Sequence, residues 1–66
     1  MKPTNKDLYD TFGSSSKYRK VLSKWTPEHG LLWLHKELLR RVRLGELCKI
    51  FRQVKNGKTL YAIVGA

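Results

Sequence analysis

The 66-residue sequence has one cysteine, two prolines and only five acidic residues. A single cysteine, Cys48, cannot form an intrachain disulfide, and cysteine and histidine nowhere cluster with the spacing of a structural metal site. The sequence has no run of about 18 apolar residues, which argues against a membrane-spanning helix, and its N-terminus lacks the apolar segment of a signal peptide. We therefore expect one small domain over residues 1–66, without metal or cofactor, in the cytoplasm, either at the nucleoid or in a host cell.

The sequence also lacks the usual arrangements of catalytic residues. Its five carboxylates are scattered, and Asp7 and Glu28 have explanations as residues that stabilise helix starts. The chain contains no Ser–His–Asp set and no glycine-rich phosphate loop. We therefore expect a protein that is not an enzyme.

Positive charge is what the sequence has in excess. Fourteen lysines and arginines against five acidic residues give a net charge of +9. The charges of residues 1–16 cancel, so the whole excess lies in residues 17–66. Such a charge favours a polyanionic partner, because neutralising phosphates releases counterions. It can also serve solubility alone.

The segment 26–44 predicts one long helix around which the chain is organised. Thr26 is placed as its N-cap, Pro27 as its first residue and Gly45 as its end. At about 100° per residue, one arc of this helix is apolar, and we expect His35 inside that arc as a core residue. The apolar arc holds Leu31, Leu32, Leu34, Leu38, Leu39 and Val42. The opposite arc, our candidate functional face, holds His29, Trp33, Lys36, Arg40 and Arg43.

Two shorter helices are predicted before the long one. Residues 4–12 begin with a capping box, Thr4 with Asp7, and end at Gly13. A second helix is expected at about residues 15–24, because its apolar side chains share one side of a helical wheel. The aromatic residues expected in the core are Tyr9, Phe12, Tyr18 and Trp25. The start of the second helix would present Ser15, Ser16 and Lys17 to a phosphate.

The C-terminal third predicts a β-hairpin around Asn56-Gly57. A two-residue turn would pair Lys55 with Lys58 but mix polar and apolar side chains on both faces. A three-residue loop would pair Val54 with Lys58 and sort the faces better, so we prefer it. This register places three large apolar side chains on the outer face, namely Phe51, Tyr61 and Ile63.

The predicted order is three helices followed by a C-terminal hairpin, an α+β arrangement that resembles the winged-helix DNA-binding domain. The segment from Leu38 to Leu47 resembles the end of that family's recognition helix running into the first wing strand, and Lys58 to Val64 resembles the returning strand. No subfamily motif is present, and the first helix is shorter than is usual in that fold.

The resemblance implies that helix 26–44 enters the major groove of double-stranded DNA, with its cationic arc toward bases and phosphates. It also implies that the hairpin tip, Lys55, Asn56 and Lys58, contacts the backbone or minor groove. We therefore expect a small transcriptional regulator or a phage or mobile-element accessory factor.

Two alternatives remain open at this point. The outer face of the hairpin could dock on a protein such as a polymerase, or on a second copy of the chain. Trp33 or Tyr61 could instead stack on the bases of a single strand.

Overall fold

A computed structural model describes residues 2–13 and 17–66. The elements are α1 (Asn5–Phe12), β1 (Lys20–Val21), β2 (Thr26–Pro27), α2 (Leu31–Arg43), β3 (Cys48–Lys55) and β4 (Lys58–Gly65). The α+β class is confirmed, but the described residues contain two α-helices and not three. The strands form one antiparallel sheet in which β4 pairs with each of the others.

The first helix forms where it was predicted. The Thr4 hydroxyl accepts a hydrogen bond from the Asp7 amide at 3.2 Å, and the Asp7 carboxylate accepts one from the Thr4 amide at 2.8 Å. The helix ends at Gly13, whose amide donates to the Tyr9 carbonyl. Leu8 is buried, but Tyr9 is 60% exposed, so the prediction that Tyr9 belongs to the core is wrong.

The predicted helix at 15–24 does not form over its described part. Residues 17–24 are extended or irregular and run beside β4. The Leu22 amide donates to the Ile63 carbonyl, and the Ser23 hydroxyl accepts from the Ile63 amide, both at 2.8 Å. Pairing with the sheet therefore overrides the helical spacing of the apolar residues.

The long helix begins four residues later than predicted, at Leu31 and not at Pro27. Thr26 pairs with Tyr61 in strand β2, and Glu28–Gly30 form a single 3-10 turn. Thr26 is therefore a strand residue and not the N-cap of this helix.

The end of α2 is as predicted. The Gly45 amide donates to the Val42 carbonyl at 3.0 Å, and the Glu46 amide donates to the Arg41 carbonyl at 3.1 Å. This pair of bonds closes a helix C-terminus around a left-handed residue, and Gly45 has φ +86°. The chain turns directly from α2 toward β3.

The hairpin has the register that we did not prefer. Lys55 pairs with Lys58, so the turn has two residues, and both have positive φ: +51° for Asn56 and +75° for Gly57. These signs belong to a type I′ turn, whose twist matches that of the strands. The predicted three-residue loop is therefore wrong.

The register follows from burial on both faces of the hairpin. Phe51 lies opposite Ala62 and is 1% exposed, whereas the next residue along β4, Ile63, is fully buried on the other face. One face carries the core cluster of Leu8, Trp25, Phe51, Ala62 and Val64. The second helix contacts β3 and β4, and its buried Leu34 is not part of that cluster. We infer that α1 and α2 cover opposite faces.

This arrangement removes the predicted outer face of the hairpin. Phe51 and Ile63 are buried on opposite sides of the sheet, and Tyr61 is partly buried. The three side chains cannot form one exposed docking patch.

Candidate nucleic-acid interface

The outward side of α2 carries four of the predicted site residues. Trp33 is 58% exposed, and Lys36, Arg40 and Arg43 are exposed as well. The three cations border one shallow groove of about 370 Å³, which is lined by Lys36, Leu39, Arg40, Arg43 and Leu44. His29 lies in the turn before the helix, is exposed and does not line this groove.

Not all of these cations are equally available to a ligand. Arg40 makes two hydrogen bonds to the Glu37 carboxylate, which lower the pKa of Glu37 and raise the pKa of Arg40 above its ordinary value. Arg41 pairs with Glu37 at 3.4 Å and with Glu46 at 3.1 Å. Among the described residues, Lys36 and Arg43 have no carboxylate partner, so their charge is the least compensated on this helix.

At the hairpin tip, Lys55 contacts other parts of the fold, whereas Asn56 and Lys58 are exposed. The Lys55 ammonium forms an ion pair with Asp7 at 2.9 Å and lies 5.6 Å from the Trp25 ring centre. Lys55 therefore joins the hairpin to α1 and is not a free contact at the tip. Asn56 and Lys58 are exposed and remain available there.

The predicted phosphate site at the start of a second helix loses its basis. Ser15 and Ser16 lie outside the described residues. Lys17 is exposed, and its ammonium lies 5.9 Å from the Tyr18 ring centre. Because residues 17–24 are not helical, they supply no helix N-terminus that would bind an anion.

Two features of the surface were not predicted. Lys49 lies 4.4 Å from the ring centre of Phe12 and 4.5 Å from that of Tyr18, a cation–π arrangement that supports the packing of α1. His35, expected in the core, is exposed, as is much of the apolar arc of α2. Helical periodicity identifies such an arc but not which part of it the sheet covers.

Within residues 2–13 and 17–66, no group of three His, Cys, Asp or Glu side chains is placed to hold a metal ion. Burial, reinforced by the Glu46 carboxylate, raises the pKa of the Cys48 thiol, which keeps it protonated and weakly nucleophilic. No helix in this part of the chain is long and apolar enough to cross a membrane.

Comparison with known proteins finds no family model that matches the chain, and no significant match among curated proteins or solved structures.

Proposed function

We propose that the chain is a small nucleic-acid-binding domain that contacts double-stranded DNA through the outward side of α2. The observation that carries this proposal is the exposed row of Lys36, Arg40 and Arg43 along one groove of that helix. The cations outnumber the acidic residues by nine over the whole chain. A polyanion is the partner that such a surface attracts most strongly.

The length and width of an α-helix such as α2 favour binding in the groove of a duplex. The 13 residues of α2 span about 20 Å, and the major groove is about 12 Å wide, enough to admit an α-helix. The exposed Asn56 and Lys58 would contact the DNA backbone beside the groove. Part of the winged-helix resemblance remains in this proposal, because α2 ends at Gly45 and leads into a hairpin. The helix predicted before it does not form over its described part, so the resemblance is limited to α2 and the hairpin. The proposed role is regulatory or accessory, in the cytoplasm.

Single-stranded nucleic acid is the second candidate, because one specific observation favours it. The Trp33 ring is more than half exposed and lies on the same side of α2 as the cations. An exposed aromatic beside positive charge is the usual platform on which bases stack.

The test is fluorescence anisotropy with a random duplex and a random single strand over a salt series. We expect salt-steep binding that favours the duplex. Replacing Lys36 and Arg43 by glutamine is expected to weaken binding at least about fivefold, and to reduce the slope of log K against log salt by about two.

The matched control replaces Lys6 and Lys24 by glutamine, since both are exposed lysines outside α2. An equal loss in the two double variants would mean that only net charge matters, and the α2 assignment would fail. Preference for the single strand, lost in Trp33→Ala, would select the stacking alternative. No binding at low salt would refute both candidates.

A further inference from the structure

A stripe of four side chains on one flank of α2 has no partner within the described residues. We define the α2 stripe as Leu32, His35, Leu39 and Val42. These residues recur at steps of three, four and three, the spacing of a seam between two packed helices. All four are exposed, with 71% for Leu32, 56% for Leu39 and 49% for Val42.

The most buried side of α2 lies beside this stripe and not on it. The helix packs on the sheet through Leu34, which is fully buried, and through the half-buried Leu38. Arg41, on the far side of these residues from the stripe, approaches the Leu22 carbonyl at 3.5 Å. The stripe therefore lies on the flank that points away from Leu22. Three large apolar side chains left exposed on one flank of a helix are a candidate interaction site.

The charge beside the stripe indicates what covers it. On the helical wheel, Arg43 and Lys36 follow within about 40° of Leu32, and Leu39 lines the same groove as both. Among the described residues neither cation has a carboxylate partner. The surface that complements this edge is an apolar row bordered by carboxylates.

Two other occupants fit less well. A second copy of the chain would bring another net charge of +9 to the same edge. A flat anionic bilayer would first meet the cations, because Lys36 and Arg43 occupy the centre of the outward side, whereas the stripe lies on its flank.

We propose that the α2 stripe docks an acidic amphipathic helix of a partner protein. Apolar side chains of the partner pack on Leu32, Leu39 and Val42, and its carboxylates pair with Lys36 and Arg43. Because these two cations border both surfaces, partner binding competes with nucleic-acid binding. The competition rests on the proposed function, but the docking itself does not.

The test uses a fluorescein-labelled 15-residue peptide, designed with leucines at heptad a and d positions and glutamates flanking them. A second peptide has the same composition with the leucines moved off the seam. We expect the chain to bind the first peptide at least about tenfold more tightly than the second, because only the first aligns its apolar row with the stripe.

The variant Leu32→Gln/Val42→Gln is expected to lose this preference while still binding the duplex, because neither residue lines the groove of the proposed nucleic-acid interface. Both residues are exposed, so the variant should fold, which circular dichroism checks. The matched control is Leu47→Gln/Val54→Gln, since these side chains are 50% and 59% exposed but lie outside α2 and its groove. The control should bind the first peptide within about twofold of the unmodified chain.

Several results would overturn the docking proposal. Equal binding of the two peptides would mean attraction by charge alone, and equal loss in the two variants would mean unspecific adhesion. Sedimentation that shows a dimer abolished by Leu32→Gln/Val42→Gln would identify a second copy as the occupant. Stripe-dependent binding to phosphatidylserine-containing vesicles, without peptide binding, would identify a membrane. Peptide binding without any duplex binding would leave the docking intact and refute the proposed function.

Discussion

Asp7 connects the start of α1 to the hairpin. It accepts a hydrogen bond from the Thr4 amide that starts α1, and it forms the ion pair with Lys55 near the end of β3. Burial by itself would raise the pKa of Asp7, but the bonds from Thr4 and the pairing with Lys55 outweigh it and lower the pKa below 3.8. The folded state therefore favours the ionised carboxylate, and α1 is held to the hairpin by charge as well as by Leu8.

The Asp7 carboxylate should make stability depend on pH in the acidic range. A pKa lowered by folding contributes stability that is present above the ordinary pKa of 3.8 and is lost as the pH falls through the folded-state value. We expect Asp7→Asn to cost about 1–2 kcal/mol at pH 7, through the weakened cap and the lost ion pair. Urea unfolding from pH 7 to pH 2 should show the cost shrinking as the unmodified chain becomes protonated. A pH-independent difference would contradict this role.

Lys55 offers a second test at the residue scale. Lys55→Met keeps the apolar stem over Trp25 but removes the charge that pairs with Asp7. We expect a loss of about 1 kcal/mol in the free energy of unfolding with little change in duplex affinity beyond that of one lost charge. Lys58→Met, at the exposed position opposite, should give the reverse pattern of unchanged stability and weaker binding. Equal effects of the two variants in urea unfolding and in anisotropy would contradict the assignment of Lys55 to stability and of Lys58 to binding.

The Ser23 side chain accepts a hydrogen bond that the backbone carbonyl of a neighbouring strand would otherwise accept. Its hydroxyl accepts the amide proton of the fully buried Ile63, where the chain between β1 and β2 leaves the sheet. Ser23→Ala should leave that amide without an acceptor and cost about 1–3 kcal/mol. Ser23→Thr keeps the hydroxyl and should cost less. Urea unfolding measures both, and equal effects of the two substitutions would show that the hydroxyl is not what matters.

At the scale of elements, the hairpin turn gives the sharpest test of register. In the observed two-residue turn Asn56 has φ +51°, whereas a three-residue loop with a type I turn would give it negative φ. Asn56→Val should therefore cost more than about 1 kcal/mol, because a β-branched residue resists positive φ, and Asn56→Gly should be nearly neutral. A neutral Asn56→Val in urea unfolding would restore the three-residue loop.

The elements that sequence reasoning predicted well are those that local chemistry determines. The capping box of Thr4 and Asp7 locates α1, and Gly45 ends α2, because these signals involve neighbouring groups only. The Asn56-Gly57 pair located the hairpin for the same reason. The predicted register was wrong because we assumed that one face of the hairpin is exposed, whereas Phe51 and Ile63 are buried on opposite faces.

The elements that were predicted wrongly depend on contacts between residues that are distant in sequence. The segment 17–24 has helical spacing, but its backbone pairs with residues some forty positions later, such as Leu22 with Ile63. The same holds within the candidate site. The exposure of Trp33, Lys36 and Arg43 agrees with the helical wheel. The ion pair between Lys55 and Asp7 could not be predicted without knowing where α1 packs.

At the scale of the whole molecule, the charge balance affects stability as well as binding. Three of the five carboxylates, Asp7, Glu37 and Glu46, already form ion pairs in the described residues. The remaining cations repel one another at low ionic strength, when the Debye length is about 30 Å at 0.01 M salt. Since self-repulsion of this kind destabilises the compact state, salt should stabilise the fold while it weakens nucleic-acid binding.

We expect the thermal midpoint, followed by circular dichroism, to rise by several degrees between about 0.01 M and 0.1 M NaCl, where the Debye length falls to about 10 Å. The control is Lys6→Gln/Lys24→Gln, which lowers the net charge without touching an ion pair. Its midpoint should start higher and rise less, because fewer charges remain to be screened. A midpoint that falls with salt would mean that the four ion pairs outweigh the repulsion. Repulsion among the remaining cations would then be too weak to limit the stability of the fold, which contradicts this prediction.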